Sequence, residues 1–114
     1  MMMKNLDAQF NRTITAKARW KAAEEAENKA MLRAAVKLGV KKRAVGRLTY
    51  EQSRKIRAAK NPDVVAAEKA TERAMNKHIH CCEELFKMYV AYRKAGGEQI
   101  SSYYAAATEW DDND

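Results

Sequence analysis

The positions of the helix breakers constrain this chain more than any other feature. Its 114 residues hold one proline, Pro62, and four glycines, Gly39, Gly46, Gly96 and Gly97. Residues 1–38 and 63–95 therefore form two long stretches with neither. An all-β sandwich needs a turn signal every ten residues or so, and this chain lacks them. Alanine, the best helix former, occurs 21 times. The sequence predicts an all-α fold: a small helical bundle dominated by two long helices bridged by a short helix, with a short C-terminal helix.

The first helix is predicted from Lys4 or Thr13 to Leu38. Phe10, Ile14, Trp20, Ala23, Ala30, Met31, Ala34 and Leu38 give it a loose apolar stripe, and Gly39 ends it. Residues 39–48 follow as a basic connector. Thr49-Tyr50-Glu51-Gln52 is a capping-box pattern that opens the second helix. That helix should run to Lys60, because Pro62 biases Asn61 away from helical angles. Leu48, Gln52, Ile56 and Ala59 share one side of its wheel; Tyr50, Arg54 and Arg57 share the other.

Asn61 as N-cap, Pro62 at the first position and Asp63 at the positive dipole end start the third helix. It is expected to run unbroken to Ala95, where Gly96-Gly97 stops it. Val64, Ala67, Thr71, Ala74, His78, Cys81, Leu85, Met88 and Tyr92 follow a 3-4 spacing along it. A second row, Met75, Ile79, Cys82, Phe86 and Tyr89, widens the face beyond a two-stranded seam. Packing against two or more helices follows, and a homodimer through this helix is a further expectation. Ile100, Tyr103, Tyr104, Ala107 and Trp110 repeat at helical spacing, with Ser101 or Ser102 as cap. The organisation reads as one helical domain over residues 1–110 and an acidic tail, 111–114.

Charge is the feature that bears on function. Residues 1–60 hold 16 basic and 5 acidic side chains, whereas residues 61–114 hold 6 and 10. The segment 37–60 alone sets nine cations against Glu51. A cluster this dense repels itself unless something anionic offsets it, which points to nucleic acid or an acidic protein surface. Lys37, Lys41, Lys42, Arg43, Arg47, Arg54, Arg57 and Lys60 are the candidate phosphate contacts, and Tyr50 is a candidate stacking residue. Lys17, Lys21, Lys29, Arg33 and Lys37 form a drifting i,i+4 row on the first helix, interrupted by Glu25, that could extend the track. The ordinary alternative is a solvated face with Glu25–Lys29 as a helix-stabilising pair. Tyr103, Tyr104 and Trp110 are candidate anchors for a protein interface.

Chemistry finds little support. His78-Ile79-His80-Cys81-Cys82 is the one cluster of metal-ligand type, with His78 and Cys82 sharing a helix face as weak candidate ligands. Four groups on one straight helix do not converge, and the chain has no other Cys or His, so no metal and no cofactor are expected. Glu24-Glu25 and Glu83-Glu84 are neighbours that diverge on a helix, and Gly39 and Gly46 lack a phosphate-loop pattern. The chain reads as no enzyme.

Arg47 through Arg57 resembles the first helix of many helix-turn-helix domains, over about a dozen residues. Those domains continue with a glycine-containing turn and a short recognition helix. Here Asn61-Pro62-Asp63 opens a long Ala-rich helix instead, so the resemblance assigns no family.

Cys81 and Cys82 are adjacent and cannot staple distant parts of the chain, which fits a reducing cytoplasm. Met1–Met3 leads into Lys4, Asn5 and Asp7, which does not read as a secretory signal, and no apolar run approaches ~20 residues, so no membrane role is expected. The resulting expectation is a small cytoplasmic regulatory binding protein, of the accessory kind that phages encode, engaging nucleic acid or a nucleoprotein machine through 37–60. The alternative is a protein-only inhibitor or assembly factor whose basic patch docks on an acidic, DNA-facing surface of a nucleic-acid-processing host enzyme.

Overall fold

The computed structural model describes residues 2–39 and 48–109. They form four helices: α1 (Met2–Lys37), α2 (Tyr50–Ala58), α3 (Pro62–Lys94) and α4 (Ser101–Thr108). No strand occurs among the described residues, and α1 packs against α3. Trp110, the tail 111–114 and the connector cations Lys41, Lys42, Arg43 and Arg47 lie outside the described residues.

Local chemistry sets most of the helix ends. At Gly39 the chain turns left-handed (φ 72°) and its amide reaches back to the Val36 carbonyl. Thr49 and Gln52 complete the capping box: the Thr49 hydroxyl accepts from the Gln52 amide, and the Gln52 side chain accepts from the Thr49 amide. Asn61 Oδ1 accepts from the amides of Asp63 and Val64. At the far end of α3 the Gly96 amide donates to Arg93 and the Gly97 amide to Tyr92, a Schellman pair that needs the positive φ of Gly96.

Two ends depart from the sequence reading. α2 stops at Ala58, not Lys60, because Lys60 itself takes the left-handed conformation (φ 51°) and its amide bonds to the Arg57 carbonyl. Neither Ser101 nor Ser102 caps α4. The N-cap is Ile100, whose amide donates to the Tyr89 hydroxyl at 2.9 Å, so a side chain from α3 supplies the acceptor there.

The contacts sort into two compact units, residues 21–73 and residues 1–20 with 74–114. In the first, Ile56 of α2 is buried among Ala30, Met31, Ala34 and Ala35 of α1 and Val64 of α3. Four of the five residues around it are alanine or valine, so Ile56 supplies much of the bulk. Burying it is worth about 1.5–3 kcal/mol and fixes which face α2 turns outward. Arg57 adds ion pairs to Glu27 (3.7 Å) and Glu68 (3.6 Å), and the Thr71 hydroxyl donates to the Ala23 carbonyl.

In the second unit Leu6, Leu85, Tyr89, Ala106 and Ala107 form the core, with Phe10, Met88, Tyr92, Ile100 and Tyr103 against it. Two buried polar side chains of α1, Gln9 and Thr13, both donate to the Cys81 carbonyl of α3, at 3.1 and 3.2 Å. The Gln9 bond fixes the register of the helix pair, since its buried amide loses its partner if the helices slide, while the Thr13 hydroxyl also lies 2.9 Å from the Gln9 carbonyl of its own helix.

Both rows of α3 were expected in the core, but they part company at one turn. Leu85 is fully buried, whereas Phe86 is 41% exposed and only leans on Tyr104, ring centre to ring centre 6.5 Å. Ile14 and Leu38, placed in the first helix's stripe, are also exposed. Leu85→Ala should therefore cost about 2–5 kcal/mol in urea unfolding. Phe86→Ala should cost under about 1 kcal/mol, and equal losses would contradict this packing. A second expectation concerns Lys60: Lys60→Gly should raise stability by about 1 kcal/mol, because glycine removes the strain of a left-handed side-chain-bearing residue. A destabilisation would show that the Lys60 side chain holds the turn.

Candidate functional site

The candidate site is built on α2. With Ile56 inward and the capping box closing its first turn, α2 turns Tyr50, Arg54 and Lys55 to solvent. Tyr50 is 79% exposed, an unusual state for a large aromatic side chain. Arg54 and Lys55 make no ion pair among the described residues. An open hollow of about 700 Å³ runs beside them, lined by Leu38, Gly39, Thr49, Glu51, Arg54 and Lys55 among others. Exposed Lys37 stands in the last turn of α1. Exposed Lys60 follows α2.

Arg57 is placed differently from its expected companions. Its guanidinium lies between Glu27 of α1 and Glu68 of α3, so it ties α2 to both long helices. Half-exposed pairs of this kind contribute little stability, about 0–1 kcal/mol. They nevertheless offset one of the cations counted toward the site. Glu27 and Glu68 are distant in sequence, so no local pattern foretold the arrangement.

The candidate protein-interface aromatics also separate. Tyr103 stacks on Phe10 at 4.4 Å and donates its hydroxyl to the Asp7 carboxylate. That bond, with burial and the negative charge of Asp7, pushes its pKa up to about 12. Tyr103 is thus committed to holding α4 on α1. Tyr104 remains 52% exposed.

His78 and Cys82 do meet, Nε2 to Sγ at 3.4 Å, deep in the unit of residues 1–20 and 74–114. The Cys82 thiol donates to the Ala106 carbonyl, which leaves its sulfur to accept from Nε2–H. That assigns the proton to Nε2 and makes Nδ1, buried without a partner among the described residues, a bare acceptor. The ring stacks on Trp20 at 5.4 Å. Among the described residues no group of three or more Cys, His, Asp or Glu side chains is placed to hold a metal ion. Likewise, no helix among them is long and apolar enough to cross a membrane.

Compared with protein-family models, curated proteins and solved structures, the chain matches none.

The buried imidazole gives a pH expectation with a definite sign. Burial first, and then the Lys17 cation, lower the His78 pKa from its ordinary 6.5. Cys82 of α3 faces the ring, and Glu109, the C-cap of α4, partly offsets Lys17 through their ion pair. The unfolded chain therefore takes up a proton at a pH where the folded chain does not. Stability is fully present above about pH 7 and falls as the pH drops below 6.5, by at most about 1.4 kcal/mol per pH unit for one proton. Melting temperatures at pH 7.5 and 5.5 should differ for the wild type, and His78→Gln should shrink that difference. The exposed His80, changed to Gln, should leave it unaltered.

Proposed function

We propose that this chain is a non-enzymatic nucleic-acid-binding protein, a small regulator that engages its target through residues 37–60. The observation that carries the reading is the exposed face of α2, where Tyr50, Arg54 and Lys55 stand in solvent and neither cation makes an ion pair among the described residues. Charge distribution supports it. Residues 21–73 hold fourteen basic and seven acidic side chains and so account for the entire net +7, while the remaining residues balance at eight of each. Lysines and arginines gain affinity from a polyanion by releasing its counterions, and an exposed tyrosine stacks on a base or sugar. Lys41, Lys42, Arg43 and Arg47 bring the local density to nine cations in 24 residues.

A second reading, a protein that docks its cations on an acidic, DNA-facing surface of a nucleic-acid-processing enzyme, draws on exposed Tyr104 beside half-exposed Phe86. Aromatic side chains anchor protein interfaces.

One set of variants separates the two. Reversal of Lys41, Lys42 and Arg43 to Glu should abolish nucleic-acid binding at physiological salt with the helix content unchanged. Tyr104→Ala should leave that binding intact. Loss of a protein complex in both variants, with no nucleic-acid binding by the wild type, would establish the second reading. Full retention of every interaction after the triple reversal would overturn both.

A further inference from the structure

A second cationic surface lies in the unit of residues 1–20 and 74–114. Arg12 and Arg19 of α1 and Lys77 of α3 frame a hollow of about 360 Å³ between the two helices, with Asn11 and Thr15 on its wall. None of the three cations makes an ion pair with a carboxylate among the described residues. Arg12 is also held in place. Its guanidinium donates to Gln9 Oε1 at 3.0 Å, and the buried Gln9 amide donates in turn to the Cys81 carbonyl across the helix pair. A surface arginine anchored to a buried side chain loses less freedom on binding an anion than a free one.

We propose that this groove is a second nucleic-acid contact, directed at the phosphate backbone. Three features select that ligand. The lining has no aromatic and no large aliphatic side chain, so it offers neither a hot-spot pocket for a protein partner nor a stacking platform for an unpaired base. It does offer what a backbone uses: three cations, an amide and a hydroxyl. Arg12 and Arg19 are seven residues apart, about 10 Å along the helix axis. A single free phosphate ion engages one of them at a time, whereas a backbone engages both. The contact reads no sequence, so it would add affinity to whatever residues 37–60 recognise. The proposal shares with the function above the premise that the partner is nucleic acid.

The test is the salt dependence of binding of the full chain to a labelled duplex, followed by fluorescence anisotropy. Each phosphate contact contributes about 0.9 to the slope of log affinity against log salt. The Arg12→Gln, Arg19→Gln, Lys77→Gln triple variant should lower that slope by about 2 to 3 and weaken binding more than tenfold. Arg12→Lys, Arg19→Lys, Lys77→Arg should keep the wild-type slope. The three positions are on the surface, and circular dichroism confirms that each variant folds. An unchanged slope in the neutral variant, with binding still abolished by Glu at 41–43, would overturn the groove and leave the reading of 37–60 standing. A lowered slope with no effect of the 41–43 reversal would do the opposite. Displacement of duplex by inorganic phosphate beyond the effect of equal ionic strength would show an isolated anion site instead, and a wild type that binds no duplex at low salt would overturn both.

Discussion

Alanine in the cores where the helices meet governs what the rest of the molecule can be. Ala30, Ala34 and Ala35 in one unit, and Ala106 and Ala107 in the other, fill the positions where larger side chains would ordinarily supply burial. Each covers little apolar area, so cohesion falls on a few large residues: Ile56 and Met31 in the first unit, Leu6, Leu85 and Tyr89 in the second. The polar bond from Gln9 then fixes register where apolar bulk is thin. A core this lean leaves most side chains outside, and in residues 21–73 many of those are cations.

The link from packing to function is the orientation of α2. A nine-residue helix is too short to be stable by itself. The Thr49–Gln52 box, the burial of Ile56 and the Arg57 clasp to Glu27 and Glu68 hold it in one rotation. That rotation is what presents Tyr50, Arg54 and Lys55 together. The same side chains on a free helix would pay the ordering entropy at the moment of binding.

Where the signal was local, the sequence was readable. The stops at Gly39 and Gly96-Gly97, the capping box at Thr49 and the Asn61-Pro62 start lie within four or five residues of the groups they bond, and the structure shows each one. The unbroken α3 followed from its 3-4 spacing. Pairs distant in the chain were not legible. Leu6 is buried because it meets Leu85, Arg57 is engaged because Glu68 and Glu27 arrive from other helices, and Tyr103 is engaged because Asp7 does. Gln9 and Thr13 also disguised the true inward face of α1, Leu6–Gln9–Thr13–Ala16, since polar residues interrupt the apolar stripe. For the site, the exposure of Tyr50 and Arg54 agrees with the helical wheel. The cations of the connector are known from the sequence alone, and the Arg12–Arg19–Lys77 groove needed the pairing of two helices to come into view.

The central claim is that the concentrated charge of this chain exists to meet a polyanion. The most direct measurement is the affinity of the wild-type protein for a plain duplex across a series of monovalent salt concentrations. The account predicts tight binding at low salt and a straight fall of log affinity with log salt, of slope about 0.9 for each phosphate engaged and several units in all. No binding at low salt, or an affinity that stays flat across the series, would contradict it.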